Sequence, residues 1–379
     1  MGTSPQGDTY NNVGEGLPLL NGPTEFGQSH PHCTLFTTAS VRECNAGDLI
    51  FCVRGSTTGR MNWADRPYSL GRGVCAIRGE TELDTTYIRY CLDYQLPALL
   101  KLAGGATFPN LQRETIRDFE IPFPSHRKEI ASRLGTYDNL IENNRRRMVL
   151  LEEAARQLYC EWFVRLRFPG HEHTSVVDGV PTGWQRLTLG AACSSLEDGD
   201  WVETKDQGGE DYRLLQISNI GVNSFVETGN CRFVTEETFR RLGCREVTPG
   251  QILIARMPTP IGRAWLVTEM AWKMVTAVDV AILTPRPGAD EFFLVYHLNS
   301  PLNLEQCERR SVGATRPRIA RRELAGLPVL LPAQELQGLF REVVAPLTLM
   351  RSNLYRQNDK LRAARDLLLP RLMSGEIAV

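Results

Sequence analysis

Two stretches of the chain repeat mostly apolar residues at intervals that alternate four and three, without a break in the first and as far as Leu368 in the second. The first runs Ile130, Leu134, Tyr137, Ile141, Asn144, Met148, Leu151, Ala155, Leu158 and Trp162. The second runs Phe340, Val343, Leu347, Met350, Leu354, Gln357, Leu361, Ala364, Leu368 and Leu372. That is the 3.5-residue period of a coiled coil, and it predicts two long helices that meet along a seam. Each seam carries one amide near its middle, Asn144 and Gln357, and a lone buried amide fixes register and partner choice. Pro169-Gly170 ends the first helix and Ser374-Gly375 the second. From Glu129 to Arg165 the first would span ~55 Å at 1.5 Å per residue. Pro346 interrupts the second pattern, so that helix is expected mainly after Leu347, and Gly135 weakens the first turns of helix one.

Outside these stretches the pattern changes to short apolar runs separated by Gly, Pro and Ser. Asp48–Val53, Gly73–Ile77, Gln251–Ala255 and Ala277–Leu283 read as strands. These runs recur in order. Ala46-Gly47-Asp48-Leu49-Ile50 returns as Pro249-Gly250-Gln251-Ile252-Leu253, and Gly59-Arg60 as Gly262-Arg263. Ile88-x-Tyr90-x-Leu92 returns as Leu294-x-Tyr296-x-Leu298, and Gly105-Ala106-Thr107 as Gly313-Ala314-Thr315. Ile121-Pro122-Phe123-Pro124 then matches Val329-Leu330-Leu331-Pro332. A shared order at one large spacing indicates an internal duplication of paired domains, not a solenoid. The expected fold class is α+β: two mixed α/β domains separated by two long antiparallel coiled-coil helices, with an internal pseudo-twofold repeat. The expected boundaries are 1–128 for the first domain, 129–169 for the central helix, 170–332 for the second domain and 333–379 for the distal helix.

Composition narrows the picture. Of 379 residues, 42% are hydrophobic and 23% charged, the balance of an ordinary globular protein. The 43 basic and 44 acidic side chains nearly cancel, which argues against coating nucleic acid by bulk charge and leaves room for a local basic patch. The 10 cysteines form no C-x-x-C pair, and buried free thiols in a reducing cytoplasm fit them best. No apolar run approaches the ~18–20 residues of a membrane helix, and the polar start, Met1 to Asn12, does not read as a signal peptide.

The motifs of covalent chemistry are missing. The chain has no phosphate-binding P-loop, no glycine-rich cofactor loop after a clear strand, and no Asn/Asp-Pro-Pro-aromatic tetrapeptide of an amino-methyltransferase. Glu203-Thr204-Lys205 has half a nuclease metal site, but Asp198 and Asp200 stand too close to supply the second arm. His30-Pro31-His32 and His171-Glu172-His173 lack partners at metal spacing, and Ser194-Ser195 lacks the context of a nucleophile elbow. No catalytic residue, metal or bound cofactor is therefore expected.

The charge is uneven. Arg309, Arg310, Arg316, Arg318, Arg321 and Arg322 fall within residues 308–323, around the second Gly-Ala-Thr loop. Arginine forks suit phosphate oxygens and the O6/N7 edge of guanine, so these six are the candidate DNA contacts of the second domain. The first domain offers Lys101, Arg113, Arg54 and Arg60, and strand-end loops add Arg256 and Arg263.

These residues resemble a known family, the specificity subunits of type I restriction–modification enzymes. The resemblance is carried by Leu140-Ile141-Glu142-Asn143-Asn144-Arg145-Arg146, by Leu151-Glu152-Glu153-Ala154-Ala155-Arg156-Gln157-Leu158-Tyr159, and by Trp162-Phe163-Val164. Together they look like the family's central helix. Phe168-Pro169-Gly170, Val180-Pro181-Thr182-Gly183-Trp184, Leu187 and Leu189-Gly190 resemble the entry to its second recognition domain, and Leu361–Ile377 its distal helix. The resemblance implies two target recognition domains, each reading one half of a split, asymmetric site in double-stranded DNA, with the helices as a ruler between them. It implies two methyltransferase subunits docked on the outward helix faces, carrying S-adenosylmethionine for adenine methylation. It also implies a separate motor-nuclease restriction subunit, and a role in host defence. Against the second domain, the first looks short of ten to twenty opening residues, with Gly7-Asp8 as the apparent counterpart of Gly199-Asp200. Two other readings stay open on sequence alone: a coiled-coil interaction or decoy protein, and the recognition subunit of a combined methylase–nuclease.

Overall fold

The computed structural model describes residues 1–104 and 109–377. The chain divides into two compact units. Unit 1 comprises Met1–Arg146 and Tyr355–Val379, and unit 2 comprises Arg147–Leu354. Both boundaries fall inside the long helices, so each unit takes part of each helix, where the sequence reading had set the helices apart from the domains.

Unit 1 holds a five-stranded sheet in which Leu17–Leu20 runs parallel to Tyr68–Leu70. Beside it in the sequence order is a three-stranded sheet of Met61–Trp63, Leu49–Cys52 and Val74–Ile77, with Leu49–Cys52 in the middle. A middle strand is covered on both sides and both faces, and all four of its residues are buried. The helix Glu82–Lys101 starts at Thr81, whose hydroxyl accepts from the Asp84 amide while the Asp84 carboxylate accepts from the Thr81 amide. This reciprocal cap satisfies donors that a helix start otherwise leaves open.

Unit 2 repeats the plan. Ile252–Ala255 is the buried middle strand, paired with Ala264–Leu266 and Val280–Pro285, and Cys193–Asp198 adds a fourth strand outside Val280–Pro285. Tyr212–Leu215 runs parallel to Lys273–Thr276, and Gln185–Thr188 pairs with Pro328–Leu331. Several pairings match between the units at single residues. Cys52 faces Val74 as Ala255 faces Val280, and Leu20 faces Leu70 as Leu215 faces Thr276.

The alignment of the chain start needs correction. The Gly2 amide donates to Val74 O at 2.9 Å and the Thr3 amide to Leu70 O at 2.8 Å; Gly199 and Asp200 donate to Val280 O and Thr276 O at the same distances. A Cβ on Gly2 would meet Gly71 O at 2.2 Å, and one on Gly199 would meet Ala277 O at 2.2 Å. Gly2, not Gly7, is the counterpart of Gly199. The Gly-Asp pair at Gly7-Asp8 belongs to a short 3-10 turn.

Both long helices are present, Arg127–Tyr159 and Gln334–Met373. At 33 and 40 residues they extend about 50 and 60 Å. The second passes through Pro346 unbroken, against the expectation that it begins after Leu347. Proline costs a helix interior about 3 kcal/mol, and the buried Leu336, Phe340 and Val344 just before it, at roughly 1.5–3 kcal/mol each, outweigh that.

The seam of the first helix is largely as read: Ile130, Leu134, Ile141, Asn144 and Ala155 are buried, and Tyr137, Met148, Leu151 and Leu158 half-buried. At its end the backbone widens into a π turn, Cys160–Val164. This moves the buried position from Trp162, which is half-buried, to Phe163. The seam of the second helix differs at every other position. Val343 and Met350 are 48% and 43% exposed, and Gln357 is exposed too. The covered residues are Phe340, Val344, Leu347, Arg351, Leu354, Asn358, Leu361, Arg365, Leu368 and Leu372. These also alternate four and three, but three of them are polar.

Each polar position has a partner on the first helix. In unit 1, Arg365 Nη1 donates to Asp138 Oδ1 at 2.5 Å, and Asn144 Nδ2 to Asn358 Oδ1 at 3.0 Å. Asn358 Nδ2 reaches Ile141 O at 3.2 Å. In unit 2, Arg351 pairs with Glu152. As the first number rises from 138 to 144 its partner falls from 365 to 358, so the helices run antiparallel. Among the described residues, no helix is long and apolar enough to cross a membrane.

Candidate nucleic-acid interface

In unit 2 a loop leaves the helix Pro301–Arg309, turns, and enters the five-residue helix Arg321–Ala325. Its neck is closed by Val312 and Arg318, whose backbones exchange two hydrogen bonds of 3.0 Å. Gly313 sits at φ 120°, and a Cβ there would meet Arg316 O at 2.9 Å. The tight turn therefore requires glycine. Val312 at the neck is 80% exposed, and the tip carries Arg316, exposed with no ion pair among the described residues.

Behind the loop lies a cleft of about 870 Å³ between the strand Cys193–Asp198 and the helix Arg321–Ala325. Arg256, Arg318, Arg321 and Arg322 line it, with Glu197 and Asp198. Arg256 is 3.0 Å from Asp198 and donates to Val278 O at 2.7 Å. Arg321 stands 3.8 Å from Asp198, and Arg318 is 2.9 Å from Asp279. Burial pushes the Arg256 guanidinium below its ordinary value, with Arg318 and Arg321 adding to the shift against the pull of Asp198 and Asp279. Two carboxylates thus hold an excess of arginines on one face, and Arg322 faces solvent without an ion pair among the described residues. Such a face offers charge-assisted donors of the kind that suit phosphate oxygens.

The six arginines of the sequence cluster divide. Arg318, Arg321 and Arg322 line the cleft, and Arg316 projects from the loop tip. Arg309 pairs with Glu305 one turn back, and Arg310 Nη1 donates to Gly326 O at 3.0 Å, so both lie off the cleft. Of the strand-end arginines, Arg256 is the buried floor of the cleft. Arg263 requires correction as a DNA contact. It is buried, and its fork donates to the carbonyls of Ile220, Pro258, Pro260 and Ile217 at 2.6 to 3.1 Å. Those bonds satisfy carbonyls of a loop turned inward and leave the guanidinium no route to a phosphate.

Unit 1 builds the same neck, with Gly104 and Asn110 exchanging backbone bonds of 3.0 and 2.8 Å. The Gly105-Ala106-Thr107 turn of the repeat lies outside the described residues. Arg54 Nε donates to Asn110 Oδ1 at 3.1 Å and remains exposed. Arg60 lies over the Phe26 ring, 5.9 Å from its centroid, exposed where its counterpart Arg263 is buried. Lys101 and Arg113 are exposed at the two helix ends that flank the neck. These four share a region without forming a cleft like that of unit 2.

Other sequence features close on near neighbours. Lys205 closes on Glu203 at 2.8 Å, and His171 Nδ1 lies 2.8 Å from Phe168 O. Among the described residues, no group of three metal-binding side chains comes together, and all ten cysteines are free thiols. The sequence reading missed Asp198 and Asp279, the carboxylates that organise the arginines. Their only signal was acidity opposite a basic segment, since the strand pairing that brings them together is non-local.

Residues 38–153 match the family model of the type I restriction modification DNA specificity domain. A putative type I restriction enzyme MjaX specificity subunit of Methanocaldococcus jannaschii is 34% identical over 161 residues, 42% of this chain. The match spans only 38% of that relative's length. The MjaIX specificity subunit of the same organism is 23% identical over 90% of this chain and 82% of its own length. Among solved structures, the S subunit of a type I restriction–modification system from M. genitalium aligns with a TM-score of 0.56 at 16% identity. That alignment covers 98% of this chain and 92% of the other, and it shows a shared fold.

Proposed function

We propose, from the premise that this chain belongs to the specificity-subunit family of type I restriction–modification systems, that it reads a split, asymmetric DNA site for its complex and performs no chemistry itself. The observation that carries the reading is the arginine face of unit 2: Arg318, Arg321 and Arg322 around a cleft braced by Asp198 and Asp279, with Arg316 at the tip of a glycine-turned loop. Phosphate contacts position such a face on the duplex, and side chains at the loop tip read base edges.

The partners in this proposal are double-stranded DNA, methyltransferase subunits and a restriction subunit. S-adenosylmethionine belongs to the methyltransferase, and the complex works in the cytoplasm. The outward side of the helices in unit 2 supports a docking role. Val149 and Leu150 are each 68% exposed, Leu349 58% and Met350 43%, an apolar set of the kind that marks an interaction surface.

The test is the salt dependence of binding to duplex DNA carrying the recognised site. Each phosphate contact contributes about −0.9 to the slope of log K against log salt. Arg316→Ala and Arg322→Ala should each weaken binding and flatten that slope by roughly one contact. A slope near zero for the parent chain, or slopes unchanged in both variants, would overturn the assignment of this face.

A further inference from the structure

A lone exposed valine is ordinary on a protein surface. Val312 is distinguished by where it is held. It is 80% exposed and lines the arginine cleft of unit 2. Its backbone exchanges two hydrogen bonds of 3.0 Å with that of Arg318. Residues opposed in this way present their side chains on one face, with Cβ atoms about 4.5–5.5 Å apart. The valine methyls therefore stand beside the Arg318 side chain, whose guanidinium lies 2.9 Å from Asp279. Arg321 and Arg322 line the same cleft, and Arg316 projects from the turn that this pair closes.

The fold does not require this side chain. In unit 1 the corresponding neck is closed by Gly104 and Asn110, through backbone bonds of 3.0 and 2.8 Å. Gly104 stands where Val312 stands, and Asn110 where Arg318 stands. A Cβ on Gly104 would meet only Asn110 O, at 3.9 Å, so the position admits a side chain without needing one. Nor does Val312 join the apolar clusters of unit 2 among the described residues. Backbone bonds close the neck in both units. Unit 2 adds to it a β-branched apolar group, stiff about its first side-chain torsion.

An apolar group set among arginines has one partner on the base edges of DNA that the arginines lack. In the major groove thymine presents a C5-methyl group, and the other features are hydrogen-bond donors and acceptors. We propose that Val312 is a specificity-determining residue that packs on the C5-methyl of one thymine in the half-site read by unit 2. The inference rests on the DNA reading above and deepens it. The arginines supply charge-assisted donors, and Val312 selects thymine over cytosine, whose C5 carries only hydrogen. Gly104 offers no such contact, so the two half-sites are read differently at this position.

The experiment measures binding of the full chain to duplex DNA carrying the recognised site, with each thymine replaced singly by deoxyuridine, which lacks only the C5-methyl. At one thymine the parent affinity should fall by roughly threefold to tenfold, the worth of one buried methyl group or slightly more. Val312→Gly, which installs the residue of unit 1, should lose a similar factor on the thymine duplex and nothing further on that deoxyuridine duplex. At every other thymine the parent and the variant should respond alike. Val312→Ala should fall between them, and the thermal midpoint of unit 2 should stay within a few degrees in both variants. A Val312→Gly chain that weakens by one factor on every duplex and keeps the deoxyuridine step gives Val312 a structural role and overturns the proposal. A parent chain that binds its site but is indifferent to every replacement also overturns it, and leaves the DNA reading standing. A parent chain without sequence-specific binding overturns the DNA reading itself, and this inference with it.

Discussion

The two readings of the second long helix, one centred on Gln357 and the other on Asn358, differ in a measurable way. Asn358 is 1% exposed, and its amide is held at both ends, by Asn144 Nδ2 at 3.0 Å and by Ile141 O at 3.2 Å. Asn358→Ala removes two buried hydrogen bonds, each worth about 0.5–1.5 kcal/mol net, and strands the Asn144 donor at about 1–3 kcal/mol. With partial relaxation the loss should be about 2–4 kcal/mol, confined to unit 1. Gln357→Ala, one residue away on the exposed side, should stay within about 0.5 kcal/mol of the parent. The assay is urea-dependent amide exchange across residues 138–146 and 355–365, which lie in unit 1. A cycle with Asn144→Ala should show coupling of about 1–2 kcal/mol. Equal losses for the two alanine variants, or an Asn358→Ala loss below about 0.5 kcal/mol, would refute the seam described above.

Three further outcomes follow from the geometry. Arg263→Ala removes four hydrogen bonds to carbonyls in unit 2 and should destabilise that unit by about 3 kcal/mol or more, seen as a lower thermal midpoint, while the folded fraction keeps the parent salt slope on DNA. Burial pushes the Asp138 carboxyl up, but Arg89, the Tyr90 hydroxyl and Arg365 outweigh it and hold it below its ordinary value. Its folded value therefore lies below its unfolded one, so the stability it contributes is present above the unfolded value near pH ~4 and is lost as pH falls through the folded value. Asp138→Asn should flatten that part of the acid-unfolding curve, and an unchanged curve would contradict the assignment. Gly313→Ala should displace the loop tip, because its Cβ would meet Arg316 O at 2.9 Å; DNA affinity should fall while the thermal midpoint of unit 2 stays within a few degrees.

Much of the fold is readable from local pattern. The buried middle strands, the repeat and both long helices follow from apolar spacing, which is set by neighbours a few residues away. Apart from the π turn at Cys160–Val164 and the passage of the helix through Pro346, the departures come from pairing between distant segments. The second seam was misread at alternate positions because Arg351, Asn358 and Arg365 look like surface residues until Glu152, Asn144 and Asp138 stand opposite them. The six-arginine cluster was visible as charge, yet its division between cleft, loop tip and helix side depends on Asp198 and Asp279, far away in sequence. Arg60 and Arg263 occupy one repeat position, and only the fold shows one exposed and the other spent on carbonyls.

The central claim is that this chain directs a methyltransferase to one DNA sequence. The most direct measurement is to co-express the full chain with its neighbouring methyltransferase gene in a host lacking adenine methylation, and to map methyladenine across the genome. The account predicts a single split, asymmetric motif, methylated on both strands, that disappears when the chain is omitted and weakens with Arg316→Ala and Arg322→Ala together. Methylation without sequence preference, or a motif that persists without this chain, would contradict it.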